Sequence, residues 1–201
     1  IVVLCAGGAV DCSWDNMAPA VLYLPLTGGG TGSALARLLC GGANPSGKLA
    51  QTFPLEYSDW PCAAEFAKDA YTYRYGEDIF VGYRYFDAAN LPVKYPFGHG
   101  LSYTSFEYSD LSCEGGTVKF KVKNTGARGG AEVVQLYICP PECGIAMPEK
   151  KLAAFKKLYL EAGGERTIEL APDIFALRAF DESANKFVVY GGQYGVKIGS
   201  S

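Results

Sequence analysis

The sequence predicts a mainly β chain, in which a fibronectin type III-like β-sandwich is preceded by a partial α/β segment. Three observations predict it. From Phe106 onward, apolar and polar residues alternate in short runs separated by glycine pairs. Ahead of Pro54, two continuous apolar runs and one helical pattern follow each other in strand–strand–helix order. Between these parts, residues 55–105 are rich in aromatics and follow neither period well.

Residues 1–4 form an apolar run rich in β-branched side chains, the pattern of a strand buried on both faces. Residues 20–24 form a second, and residues 11–19 between them are polar and turn-like. The stretch Gly28-Gly29-Gly30-Thr31-Gly32 then leads into apolar positions Leu35, Leu38 and Leu39, closed by Gly41-Gly42. That spacing predicts a helix of about three turns. Two strands and one helix do not close an α/β domain, so residues 1–54 are expected to be the C-terminal remnant of one. Residues 44–47 read as a turn cluster and residues 48–54 as a short extended segment.

The long connection predicts little regular structure. Its aromatics, among them Tyr71, Tyr73, Tyr75, Phe80, Tyr83, Tyr85, Phe86, Tyr95 and Phe97, are too many for a free linker. A connection of this length is expected to be docked or functional. In the sandwich, assigned to residues 106–201, strands are predicted at 106–111, 117–123, 131–139, 150–160, 165–171, 186–190 and 193–199. Val118, Phe120 and Val122 alternate with Lys119, Lys121 and Lys123, so one face of that strand is wet. Neither tryptophan lies in this half, so the Cys–Trp–Cys pattern of an immunoglobulin domain is missing and the fibronectin-like variant is favoured.

The 201 residues carry 18 basic and 21 acidic side chains, a balance that excludes a nucleic-acid footprint or an anionic membrane partner. No run of apolar residues has membrane-spanning length. The seven cysteines are an odd count, so at least one is free or pairs with another chain. Residues 1–4 lack the basic flank of a signal peptide. Free thiols suit a bacterial cytoplasm or the secretions of an anaerobe. Nothing in the sequence calls for a cofactor.

Several residue groups are candidates for chemistry. The glycine-rich loop can cradle a phosphate at a helix N-terminus, but it lacks the Lys-Ser/Thr ending of a P-loop, which favours a tight turn. His99 is the single histidine, so any Ser-His-Asp triad must use it, with Ser102 close by in sequence; no nucleophile elbow accompanies them. Cys139 and Cys143 can offer two thiolates, but a closed zinc site needs four ligands, so no metal is expected. Glu56, Glu65, Glu77, Asp78 and Asp87 are available carboxylates, and their spacing singles out no catalytic pair. Asp59 lies beside Trp60 in a Pro-bracketed loop. Trp60, Tyr71 and Tyr73 are the candidate sugar-stacking residues.

Three long segments together resemble glycoside hydrolase family 3, the β-glucosidase and β-xylosidase family. They are Asn44-Pro-Ser-Gly-Lys-Leu-Ala-Gln-Thr-Phe-Pro54, Glu77-Asp-Ile-Phe-Val-Gly-Tyr-Arg-Tyr-Phe-Asp87 and Tyr95-Pro-Phe-Gly-His-Gly-Leu-Ser-Tyr-Thr-Ser-Phe106. Their order and spacing also agree. The resemblance implies a parent enzyme with a (β/α)8 barrel carrying a nucleophilic aspartate, an α/β sandwich domain supplying the acid/base glutamate, and a fibronectin III-like domain. This chain is similar to the end of the second and the whole of the third. Ser58-Asp59-Trp60 imitates the family's nucleophile motif but follows Thr52-Phe53-Pro54, so no catalytic residue is assigned to it.

The expectation is therefore a non-catalytic C-terminal piece of an enzyme acting on terminal β-linked sugars, with the catalytic barrel as its partner. Exposed aromatic faces are expected to drive self-association. Two rivals are a stand-alone carbohydrate-binding module and a small esterase using His99.

Overall fold

The computed structural model describes every residue except Ala67, Ala70, Tyr73, Ser200 and Ser201. The chain divides into two units, residues 1–43 with 49–99, and residues 44–48 with 100–201.

In the first unit, β1 (Val2–Cys5) and β2 (Val21–Leu24) pair in parallel, with Val2 opposite Val21 and Cys5 opposite Leu24. A parallel pair needs a long crossover, and residues 6–20 supply it with a single 3-10 turn at Asp15–Met17. The sequence predicts both strands to be buried on both faces. Neither is: β2 is half-buried throughout, while in β1 Val2 and Cys5 are exposed. The sheet has two strands among the described residues, too few to be covered on both sides. Helix α1 (Thr31–Leu39) turns Thr31, Leu35 and Leu38 to its less exposed face, the i, i+4, i+7 spacing of an amphipathic helix.

Residues 55–99 carry more regular structure than the sequence predicts. Two 3-10 turns (Tyr57–Asp59 and Ala63–Glu65) are followed by α2 (Tyr83–Ala88) and β4 (Val93–Tyr95). Strand β4 pairs antiparallel with β3 (Phe53–Pro54). Helix α2 has only Phe86 fully buried, so its length and pattern give a 3.6-residue period nothing to register on. Phe53 is buried and meets Tyr23 and Tyr95 edge-on at ring distances of 5.4 and 6.2 Å. Aromatic pairing of this geometry holds the unit where regular sheet is scarce.

The second unit is a sandwich of two three-stranded antiparallel sheets. One contains β5 (Phe106–Glu114), β6 (Thr117–Asn124) and β9 (Glu165–Leu170), with β6 central. The other contains β7 (Gly130–Cys139), β8 (Lys151–Leu160) and β12 (Gly195–Gly199), with β7 central. The central strands supply the core: Val118, Phe120 and Val122 from β6, and Val134, Leu136 and Ile138 from β7, joined by Leu158, Leu160, Ile168 and Leu170. The lysines between them lie on the outer face, where Lys119 pairs with Glu169 at 3.0 Å and Lys121 with Asp110 at 2.9 Å. The hairpin between β5 and β6 turns on Gly115 and Gly116, whose φ angles of 57° and 79° suit a tight two-residue loop.

The described residues from Phe106 onward form eight strands rather than the predicted seven. The sequence pattern does not predict α3 (Ile174–Leu177) or β10 (Arg178–Asp181), which pairs with β11 (Lys186–Val189). No glycine marks this hairpin; Asn185 takes the positive φ, 50°, in its turn.

Candidate functional site

The glycine-rich loop uses its hydroxyls internally. Thr31 Oγ1 donates to Gly28 O at 2.6 Å and Ser33 Oγ to Gly30 O at 3.0 Å. This is the bonding of a tight strand-to-helix turn. The His99 backbone N–H donates to Pro96 O at 3.1 Å, and its ring stacks on Tyr95 at 5.4 Å. Ser102 Oγ donates to Asn44 Oδ1 at 2.8 Å. A serine nucleophile must give that proton to a base, and here an amide oxygen holds it.

All seven cysteines are free thiols, so no disulfide links Cys139 and Cys143. Among the described residues no group of three or more His, Cys, Asp or Glu is placed to hold a metal ion.

Asp59 belongs to a reciprocal cap. Its Oδ2 accepts the Glu56 N–H at 2.9 Å, and the Glu56 side chain accepts the Asp59 N–H. Trp60 is half-buried, with its ring edge-on to Phe86 at 5.8 Å. Tyr71 is 98% exposed, and Tyr73 lies outside the described residues. Glu65 bonds Lys68 at 2.9 Å, which holds its carboxyl below the ordinary value.

Two polar constellations were not apparent in the sequence. In the first unit, Lys94 Nζ approaches Asp15 Oδ1 at 2.7 Å, and Tyr95 Oη donates to Asp15 Oδ2. The hydrogen bond from Lys94, then that from Tyr95, holds the Asp15 carboxyl below its usual range. The bond to Asp15 also pushes the Tyr95 phenol up to about 12. Cys12 is buried, and desolvation, followed by the charges of Asp15 and Asp11, raises its thiol. Asp15 thus fastens the β1–β2 crossover to β4. The partners lie some eighty residues apart in the chain, a separation that no local pattern reveals.

The second constellation is built on residues 44–48. Asn44 Nδ2 donates to Gly129 O at 3.1 Å, while its Oδ1 accepts from Ser102 Oγ and from the Tyr103 N–H, each at 2.8 Å. Lys48 Nζ donates to Gly100 O at 2.7 Å and pairs with Glu132 Oε1 at 3.1 Å. The side chains of this ion pair are 10% and 4% exposed. Tyr108 Oη donates to the same Glu132 oxygen at 3.2 Å, and burial, followed by the Glu132 charge, drives its phenol far upward. The backbone fit is close: a Cβ on Gly100 would lie 2.1 Å from Gly47 O, and one on Gly130 would lie 2.6 Å from Asn44 Nδ2. The polar groups of two of the most recognisable sequence segments are therefore spent on each other. This arrangement can fix backbone geometry, and it presents no pair of free carboxylates.

Residues 1–103 match the family model described as the glycosyl hydrolase family 3 C-terminal domain, and residues 132–201 match that of the fibronectin type III-like domain. The chain is 39% identical to thermostable beta-glucosidase B of Acetivibrio thermocellus, over 100% of this chain and 28% of that protein. It is 37% identical to probable beta-glucosidase I of Aspergillus niger, over 98% of this chain and 26% of that protein. Of solved structures, a GH3 beta-glucosidase from Bifidobacterium adolescentis superposes with a TM-score of 0.94 at 37% identity, over 100% of this chain and 31% of that one. A beta-glucosidase from Kluyveromyces marxianus in complex with glucose gives 0.93 at 36% identity, over 100% and 25%. The chain spans about a quarter to a third of the length of the proteins it matches. The chain belongs to glycosyl hydrolase family 3, whose C-terminal and fibronectin type III-like domains its two parts match.

Proposed function

We propose that this chain is the non-catalytic C-terminal part of a β-glucosidase-like hydrolase and braces the catalytic domains of that enzyme. One observation carries the reading: β-glucosidases match the chain from end to end, while it accounts for only 28% of beta-glucosidase B. In this reading residues 1–54 complete an α/β domain, residues 55–105 connect, and residues 106–201 form the sandwich. The partner is the barrel that holds the nucleophile, and the enzyme's substrates are terminal β-linked sugars. A retaining mechanism needs two carboxylates about 5 Å apart on rigid supports. Within residues 55–66, Glu56 and Asp59 are engaged in a reciprocal cap and Glu65 in an ion pair.

A chimera tests this. Beta-glucosidase B truncated before its matching 209-residue region is expected to lose hydrolysis of nitrophenyl β-glucoside. The same enzyme carrying this chain in place of that region is expected to regain it. The isolated chain is expected to show no turnover. Turnover by the isolated chain that Asp59→Asn abolishes would refute the assignment.

A specific observation favours a second reading, sugar binding by the chain itself. Tyr71, Tyr75 and Phe66 are 98%, 82% and 68% exposed, and exposed rings stack on sugar faces. Calorimetric titration with cello- and xylo-oligosaccharides separates the readings, since saturable heat on the isolated chain would support a binding module.

A further inference from the structure

We propose that residues 44–48 are a strap through which the stability of the sandwich unit depends on the first unit. Both ends of the strap are anchored in the first unit. The Ala43 N–H donates to Arg37 O at 3.0 Å, tying the entry to the end of α1. The Leu49 N–H donates to His99 O and the Gly98 N–H to Leu49 O, each at 2.8 Å, tying the exit. Between these anchors, the side chains of Asn44 and Lys48 are built into the sandwich unit.

The ion pair that the strap supplies there is almost closed to water. Glu132 is 3% exposed, and Lys48 is its cation. A buried carboxylate stripped of its cation is strongly destabilising. Asn44 likewise satisfies the carbonyl of Gly129, the Tyr103 N–H and the Ser102 hydroxyl. When the first unit opens, both anchors are released together. The five-residue strap must then hold its bonds from freely moving ends, at an entropic cost. Loss of the first unit therefore weakens β5–β9, although those strands make their own hydrophobic core.

The test is hydrogen exchange on the full chain. Phe53 packs between Tyr23 and Tyr95 in the first unit, so Phe53→Ala weakens that unit. In the otherwise native chain, this substitution is expected to speed exchange of the Phe120 and Leu136 amides, at the sandwich core, by about tenfold or more. In a strap-released background (Asn44→Ala, Lys48→Met, Glu132→Met), it is expected to leave those rates within about twofold. The double replacement at positions 48 and 132 removes both charges and so leaves no unpaired ion. Should Phe53→Ala fail to fold, Phe53→Leu gives the same comparison with a smaller perturbation. Unchanged Phe120 and Leu136 exchange in the native background would overturn the proposal. Equal acceleration in both backgrounds would also overturn it, because the coupling would then run elsewhere.

Discussion

Asp15 is held by two neighbouring side chains of β4, Lys94 and Tyr95. Its carboxyl is held low by Lys94 and then by Tyr95. A carboxylate with a depressed folded pKa contributes stability that is present above its ordinary 3.8 and lost as pH falls through the folded value. Asp15→Asn is expected to flatten the acid limb of the unfolding midpoint, measured by denaturant titration below about pH 4. Tyr95 carries the opposite sign. Its phenol, raised from 10.0 to about 12, contributes stability that is complete below 10.0 and lost as pH rises through about 12. In Asp15→Asn, ultraviolet titration of the phenolates is expected to show this tyrosine ionising closer to its ordinary value. An unchanged tyrosine titration in that variant would contradict the assigned bond.

At the scale of elements, glycines separate close approach from mere flexibility. Gly100 faces the carbonyl of Gly47, and the backbone there has no space for a methyl group. Gly100→Ala is expected to cost about 2 kcal/mol or more, read from denaturant unfolding. Gly29, in the loop ahead of α1, has open space where a methyl group would sit, with nothing within 4 Å. Gly29→Ala is expected to change stability by less than about 1 kcal/mol. If the two substitutions cost the same, the close packing of the strap is wrong. The β10–β11 hairpin teaches a related point. Its outward Phe180 and Phe187 meet at 5.2 Å, and Asn185 turns the chain, so it forms without the glycine pair that advertised the β5–β6 turn.

For the whole molecule, the two faces of β6 predict very different sensitivities. Phe120 is fully buried between the sheets, and Phe120→Ala is expected to cost about 3–5 kcal/mol. Lys119 and Glu169 pair on the outer face at 55% and 60% side-chain exposure, and Lys119→Ala is expected to cost at most about 1 kcal/mol. Thermal or denaturant unfolding of both variants checks the contrast. Exposed rings such as Tyr71 and Phe187 also predict concentration-dependent association of the isolated chain, measurable by sedimentation.

Local pattern determined the strands of the two three-stranded sheets and the helix at Thr31–Leu39, because periods of 2 and 3.6 are written in neighbouring residues, and continuous apolar runs marked the first two strands. Long motifs in register also marked the family, since Asn44-Pro-Ser-Gly-Lys48 and the segment around His99 stand in the chain as contiguous text. Only the tertiary structure decided what those motifs do. Lys48 meets Glu132, and Tyr95 meets Asp15, across 84 and 80 positions of sequence. Pairings of that kind depend on where whole elements pack, so no window of sequence contains them. The same reason explains α2 and β4, which are too short to show a period: Trp60 packs on Phe86 of α2, and Phe53 on Tyr95 of β4.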